Sequence, residues 1–87
     1  MTVVFYGRTT ERTGGDKAYT PKAHSTILRE LLDELCSHYG EDFESFIHGS
    51  ETCLILINGR GIASAVGLES PINPDDKIEI LPFVESG

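Results

Sequence analysis

The sequence predicts an α+β fold: one long helix laid across a mixed sheet of four to five strands. Three observations carry that expectation. A single long stretch, Leu28, Leu31, Leu32, Leu35 and Tyr39, repeats its apolar residues at helical spacing. Three runs, Val3-Val4-Phe5-Tyr6, Cys53-Leu54-Ile55-Leu56-Ile57 and Lys77-Ile78-Glu79-Ile80-Leu81, are dominated by β-branched, aromatic and other apolar residues. Turn formers separate them at Thr13-Gly14-Gly15-Asp16, Asn58-Gly59 and Asn73-Pro74-Asp75-Asp76.

Taken in order, Val3-Val4-Phe5-Tyr6 reads as a strand closed by Gly7, and Lys17-Ala18-Tyr19-Thr20 as a weaker return strand stopped by Pro21. The chain is therefore expected to open with a β-hairpin. Gly14-Gly15 belongs to its turn, since neither a third glycine nor a Gly-Lys-Ser/Thr string accompanies it as a phosphate loop requires. Ser25 or Thr26 is placed to cap a helix of about residues 25–39, and Gly40 to end it. Its apolar residues fall within roughly a 100° arc, with Ile27 and Cys36 at the edges, so one face is buried. A second helical turn over 42–47 adds Phe43, Phe46 and Ile47 to the same core.

The run 53–57 is apolar on both alternating faces, as expected of a strand covered on both sides or central in its sheet. Asn58-Gly59 suits a type I′ turn into a further short strand through Arg60-Gly61-Ile62. In 77–81 the apolar residues alternate, putting Ile78 and Ile80 on one face. Pro82 ends the pairing. The order β-β-α-β-(β)-β, with a single main helix, gives a ubiquitin-like β-grasp. Residues 1–82 form that domain and 83–87 a flexible C-terminal tail.

Composition narrows the function. The 87 residues, 39% of them apolar, make one small domain with a thin core. Such a domain does not enclose a large substrate cavity, and no nucleophile–base pair or convergent polar cluster can be assembled from its residues. A self-contained catalyst is thus disfavoured. A net charge of −7 argues against nucleic acid as a partner. No apolar run approaches the roughly 20 residues that span a bilayer, so no membrane partner is expected. The first residues lack a basic segment followed by an apolar one, which leaves a cytoplasmic protein as the expectation.

Cys36 and Cys53 have no Cys-x-x-Cys spacing and are expected to be reduced and partly buried. His24, His38 and His48 are not at metal-ligand spacing, so no metal site is expected. All of the net charge lies between Glu30 and Gly59, a stretch with seven acids and no lysine or arginine. It serves as a solvated surface or as a steering surface for a basic partner.

Specific strings then resemble one family. Val4-Phe5-Tyr6-Gly7-Arg8, Arg29-Glu30-Leu31-Leu32-Asp33-Glu34-Leu35, Ile57-Asn58-Gly59-Arg60 and Asn73-Pro74-Asp75-Asp76-Lys77 look like the MoaD/ThiS ubiquitin-like sulfur carriers. So does the closing Ile80-Leu81-Pro82-Phe83-Val84-Glu85-Ser86-Gly87, whose Leu-Pro-x-Val approach is similar to the small subunit of molybdopterin synthase.

The resemblance implies that the Gly87 carboxylate is the reacting group. An E1-like adenylyltransferase, using ATP, converts it to an acyl-adenylate; a sulfur donor then makes the thiocarboxylate. The large subunit of molybdopterin synthase, or another sulfur-accepting enzyme, consumes it. The chain itself binds no cofactor. Leu81, Pro82, Phe83, Val84, Glu85 and Ser86 are the implied partner-binding residues. From Pro82 to Gly87 the extended chain spans at most about 20 Å, enough to enter a deep channel. Ordering it costs on the order of 6–12 kcal/mol of backbone entropy, which the channel's contacts must offset.

The family's Gly-Gly ending is replaced here by Ser86-Gly87, with Glu85 adding a negative charge nearby. Two other readings therefore stand beside sulfur transfer: a β-grasp module that docks without carrying sulfur, and a ubiquitin-like modifier of proteins.

Overall fold

The computed structural model of the chain describes residues 1–22, 24–48, 53–63 and 67–82. The described elements are β1 (Thr2–Phe5), α1 (Thr9–Arg12), β2 (Ala18–Tyr19), α2 (Leu28–Tyr39), α3 (Glu41–His48), β3 (Leu54–Ile57), β4 (Arg60–Ala63) and β5 (Lys77–Leu81). The five strands form one mixed sheet in the order β2-β1-β5-β3-β4. β5 is its central strand. It runs parallel to β1, with Val4 opposite Glu79 and Phe5 opposite Ile80, and antiparallel to β3, with Ile55 opposite Ile80 and Ile57 opposite Ile78.

Alternation decides which face is buried. Val3, Phe5, Ile55, Ile78 and Ile80 point to one side and meet Leu28, Leu31, Leu32 and Leu35 of α2, all fully or almost fully buried. Phe43 and Ile47 of α3, with Cys53 and Ile72, complete this core. The apolar stripe predicted for the helix is the face that packs. Tyr39, at its end, lies edge-on to Phe5 at 5.6 Å between ring centres and 5.4 Å from Phe43.

The start of α2 differs from expectation. Neither Ser25 nor Thr26 caps it; the helix begins at Leu28, with Ile27 as the preceding extended residue. Its first N–H groups are satisfied from elsewhere. Leu28 N donates to Ser70 O at 2.9 Å and Arg29 N to Leu68 O at 2.8 Å. Glu30 reaches back to accept from Thr26 N at 2.7 Å and Thr26 Oγ1 at 3.0 Å. Half of a capping box is thus present, and hydrogen bonds to the Thr26 and Ile27 backbone N–H groups and the Thr26 hydroxyl lower the Glu30 pKa. At the other end Gly40, at φ +93°, supplies the expected stop, its N–H donating to Cys36 O.

Two further differences concern the first hairpin and β3. A single helical turn, α1, occupies the connection between β1 and β2, where only a turn near Gly14 was foreseen. β2 is also cut to two residues. β3 is an inner strand, paired with β5 and β4, but it is not covered on both faces: Ile55 is buried, while Leu54 and Leu56 lie half-buried on the opposite face. Asn58 (φ +52°) and Gly59 (φ +87°) make the predicted tight turn into β4. Among the described residues no helix is long and apolar enough to cross a membrane.

Candidate functional site

The helices cover only one side of the sheet. On the other side, register sets the neighbours. Val4 and Leu56 flank Glu79 on adjacent strands, while Leu54 pairs with Leu81. All five are half-buried, and Tyr6, just beyond β1, is 39% exposed. Gly61 on β4 extends this surface. A Cβ there would lie 3.4 Å from Leu54 Cδ1 and 3.5 Å from Leu56 Cδ2, so the two leucines lean over a position that glycine keeps low. Among the described residues the result is a largely apolar face built from β1, β5, β3 and β4, with Glu79 set into it and Lys77 beside that carboxylate. Outer faces of such sheets are ordinarily polar, so this one is marked for contact.

Leu81 and Pro82 sit at the rim of that face. Leu81 is the last residue of β5 and is held by its pairing with Leu54. Pro82 follows half-buried, with its Cδ and Cγ 3.7 Å from where a Gly7 side chain would begin. Gly7 adopts φ +58°, a left-handed conformation that costs glycine nothing. Its backbone passes under the proline ring. The central strand, hydrogen-bonded on both sides, therefore carries the chain to a defined exit beside Tyr6 and Leu54. Phe83, Val84, Glu85, Ser86 and Gly87, the other predicted site residues, lie outside the described residues, as does the proposed tail.

Electrostatics separates the two sides of the molecule. The neighbouring Glu79 carboxylate, together with modest desolvation, raises the Tyr6 phenol's pKa. On the helical side, Glu34 Oε2 accepts from Tyr19 Oη at 2.7 Å and from Lys22 N at 2.9 Å. Together with Glu30 at the helix start, this gives two of the acids on that side structural duties. Cys53 is buried. Cys36 is half-buried, and desolvation, aided by the charges of Glu44 and Asp33, pushes its thiol up to about 11. At neutral pH it stays protonated and is a poor nucleophile.

Sequence reasoning names Leu81 and Pro82, which the structure places at the end of β5, but does not bring Val4, Tyr6, Leu54, Leu56 and Glu79 together as one surface. The available signal is the second apolar face of β3, which the sequence pattern alone assigns to coverage on both sides or to a central place in the sheet.

Comparison with known proteins gives a consistent result. Residues 3–87 match the ThiS family. A search of curated proteins finds no match. Among solved structures the chain is similar to the small archaeal modifier protein 1 (SAMP1) of Methanosarcina acetivorans, at 26% identity and TM-score 0.75, covering 99% of this chain and 94% of that one. It is similar to CysO of Mycobacterium tuberculosis at 25% identity and TM-score 0.74, covering 95% and 98%. A chain of the BexX/CysO complex of Amycolatopsis orientalis shares the fold at 22% identity and TM-score 0.73, covering 99% and 98%.

Proposed function

Since the chain belongs to the ThiS family of ubiquitin-like sulfur carriers, with their β-grasp fold, we propose that it carries sulfur as a thiocarboxylate on Gly87. The observation that carries this reading is the exit of the chain from the central strand, at Leu81 and Pro82, on the rim of an apolar sheet face. A carboxylate is a poor electrophile and needs a leaving group. An adenylating enzyme supplies it when a carboxylate oxygen attacks the α-phosphate of ATP and pyrophosphate departs. Sulfide from a donor then attacks the acyl carbon and AMP departs with one of the original carboxylate oxygens, leaving sulfur in its place.

In this scheme the folded body docks on the partner and so positions the reacting end. The outer face, with Val4, Leu54, Leu56 and Leu81, docks on the partner and gives up apolar area worth roughly 25 cal/mol per Å². Phe83 and Val84 line the approach to the partner's pocket, and Gly87 enters it. The site lies in the cytoplasm, where ATP is available. The Leu81-Pro82-Phe83-Val84 string supports a molybdopterin synthase large subunit as the acceptor.

Intact-mass measurement after incubation with ATP, the source organism's adenylating enzyme and a sulfur donor tests the proposal. The expected product is heavier by the difference between one sulfur and one oxygen, and reverts on hydrolysis. A wild-type chain that stays unchanged beside an active adenylating enzyme excludes the carrier role.

The likeness to SAMP1 favours a second reading, in which the same activated carboxylate is passed to lysine side chains of other proteins. Conjugates of raised mass that disappear when Gly87 is deleted distinguish it. A module that docks without carrying sulfur keeps its affinity and its role after that deletion.

A further inference from the structure

Glu79 is misplaced for a surface whose only purpose is apolar contact. Its side chain retains 17% exposure and sits between Val4 and Leu56 on the neighbouring strands. Lys77, the preceding outer residue of β5, approaches it only to 3.9 Å, and its own side chain is 57% exposed. That is a loose, solvated pair, of the kind that contributes little. In the free chain, water completes the shell of the carboxylate. When a partner covers the face, that water is expelled, and Lys77 is too far and too wet to replace it. An unpaired carboxylate under an interface is strongly unfavourable.

We propose that the adenylating enzyme, docking on this face, presents an arginine to Glu79, so that one buried ion pair sets the register of the carrier on that enzyme. The inference rests on the carrier reading and adds a specificity determinant to it. A guanidinium suits the site better than an ammonium. It is weakly hydrated, remains charged when desolvated, and can take both carboxylate oxygens at once. The place of Glu79 on β5, the central strand, fixes the acceptor between Val4 and Leu56. Leucine contacts alone slide easily; a single charge pair in their midst does not.

Removing the charge gives opposite results in the two cases, which makes the test decisive. Affinity of the full chain for the source organism's adenylating enzyme is measured by calorimetry for wild type, Glu79→Gln, Glu79→Met and Glu79→Lys. Each variant is first checked for an unchanged fold by circular dichroism. With an arginine opposite, Glu79→Gln and Glu79→Met weaken binding by about 30-fold or more, mainly through faster dissociation, and Glu79→Lys weakens it further. With no cation opposite, Glu79→Met binds as tightly as wild type or more tightly, because a desolvation cost has been removed; that result overturns the proposal. Thiocarboxylate formation by wild type is followed in parallel. Normal conversion with a tighter Glu79→Met variant sinks only this inference, whereas loss of both wild-type binding and conversion sinks the carrier reading and this inference with it.

Discussion

Asn58 and Asp76, eighteen residues apart, meet side chain to side chain, Asn58 Nδ2 donating to Asp76 Oδ1 at 2.7 Å. Asp76 Oδ2 accepts from Asn73 N at 2.8 Å, and Asn58 Oδ1 accepts from Lys77 N at 2.9 Å. The backbone N–H of Asn58 closes the circuit on Lys77 O at 2.9 Å. Two turns that look independent in sequence thus form one polar knot, tying the β3–β4 hairpin to the start of β5. Asp76 is only 8% exposed, so its partners are not readily replaced by water. Asp76→Ala is expected to cost about 2–4 kcal/mol, since it strands Asn58 and the Asn73 N–H together. Asn58→Ala costs less, and the double variant less than the sum of the singles. Urea unfolding of the three variants measures this; additive losses would show that the knot does not act as a unit.

The two faces of β3 predict a contrast between adjacent residues. Ile55 is fully buried against α2, and Leu56 is half-buried on the outer face. Ile55→Ser should lower stability by about 3–5 kcal/mol, through lost burial and an unsatisfied hydroxyl. Leu56→Ser should lower it by no more than about 1 kcal/mol, yet weaken binding to the adenylating enzyme at least tenfold. Thermal unfolding and calorimetric titration separate the effects. A Leu56→Ser chain that binds normally would move the docking surface elsewhere.

Local rules made most of this architecture legible. The helical stripe from Leu28 to Tyr39, the stop at Gly40, the Asn58-Gly59 turn and the alternation of 77–81 each rest on a few consecutive residues. What escaped was non-local. The start of α2 shifted because Leu68 and Ser70 supply carbonyls from forty residues away, which no capping rule reads. The short helix α1 has no apolar periodicity; Thr9 is buried by its surroundings rather than by its pattern. The outer face gathers Val4, Leu56 and Glu79 from three strands, and only the sheet order makes them neighbours.

Tyr39 gives a pH dependence with a definite sign. Burial foremost, then its hydrogen bond to Asp16 Oδ2 at 3.0 Å and the nearby charge, raise its pKa above the ordinary 10.0. The unfolded chain releases this proton near 10.0 while the folded chain retains it. Stability from this group is therefore complete below that pH and falls as pH rises beyond it. Tyr39→Phe should reduce stability modestly at neutral pH, by about 0.5–1 kcal/mol. It should also flatten the decline between about pH 9 and pH 11. Urea midpoints across that range provide the check. An equally steep fall in the Phe variant would assign the alkaline transition to other groups, Tyr19 being the first to examine, since its hydrogen bond to Glu34 also raises its pKa.

Ser86 is the point where this chain departs from the Gly-Gly ending of its family, and its effect on activation can be separated into backbone and side-chain parts. A Cβ disfavours left-handed backbone by roughly 1–2 kcal/mol, a penalty glycine escapes. On the carrier reading, an activating pocket shaped around two glycines would make the chain bear that penalty in the transition state, which corresponds to a rate lower by about tenfold. Ser86→Gly is therefore expected to speed adenylation by about that factor, read as ATP-dependent pyrophosphate release with the adenylating enzyme. Ser86→Ala keeps the Cβ and removes only the hydroxyl, so it should behave like the wild type. If alanine instead matches glycine, the hydroxyl and not the backbone limits the reaction. If neither substitution changes the rate, the partner's pocket already accommodates serine, and the departure from Gly-Gly carries no kinetic cost.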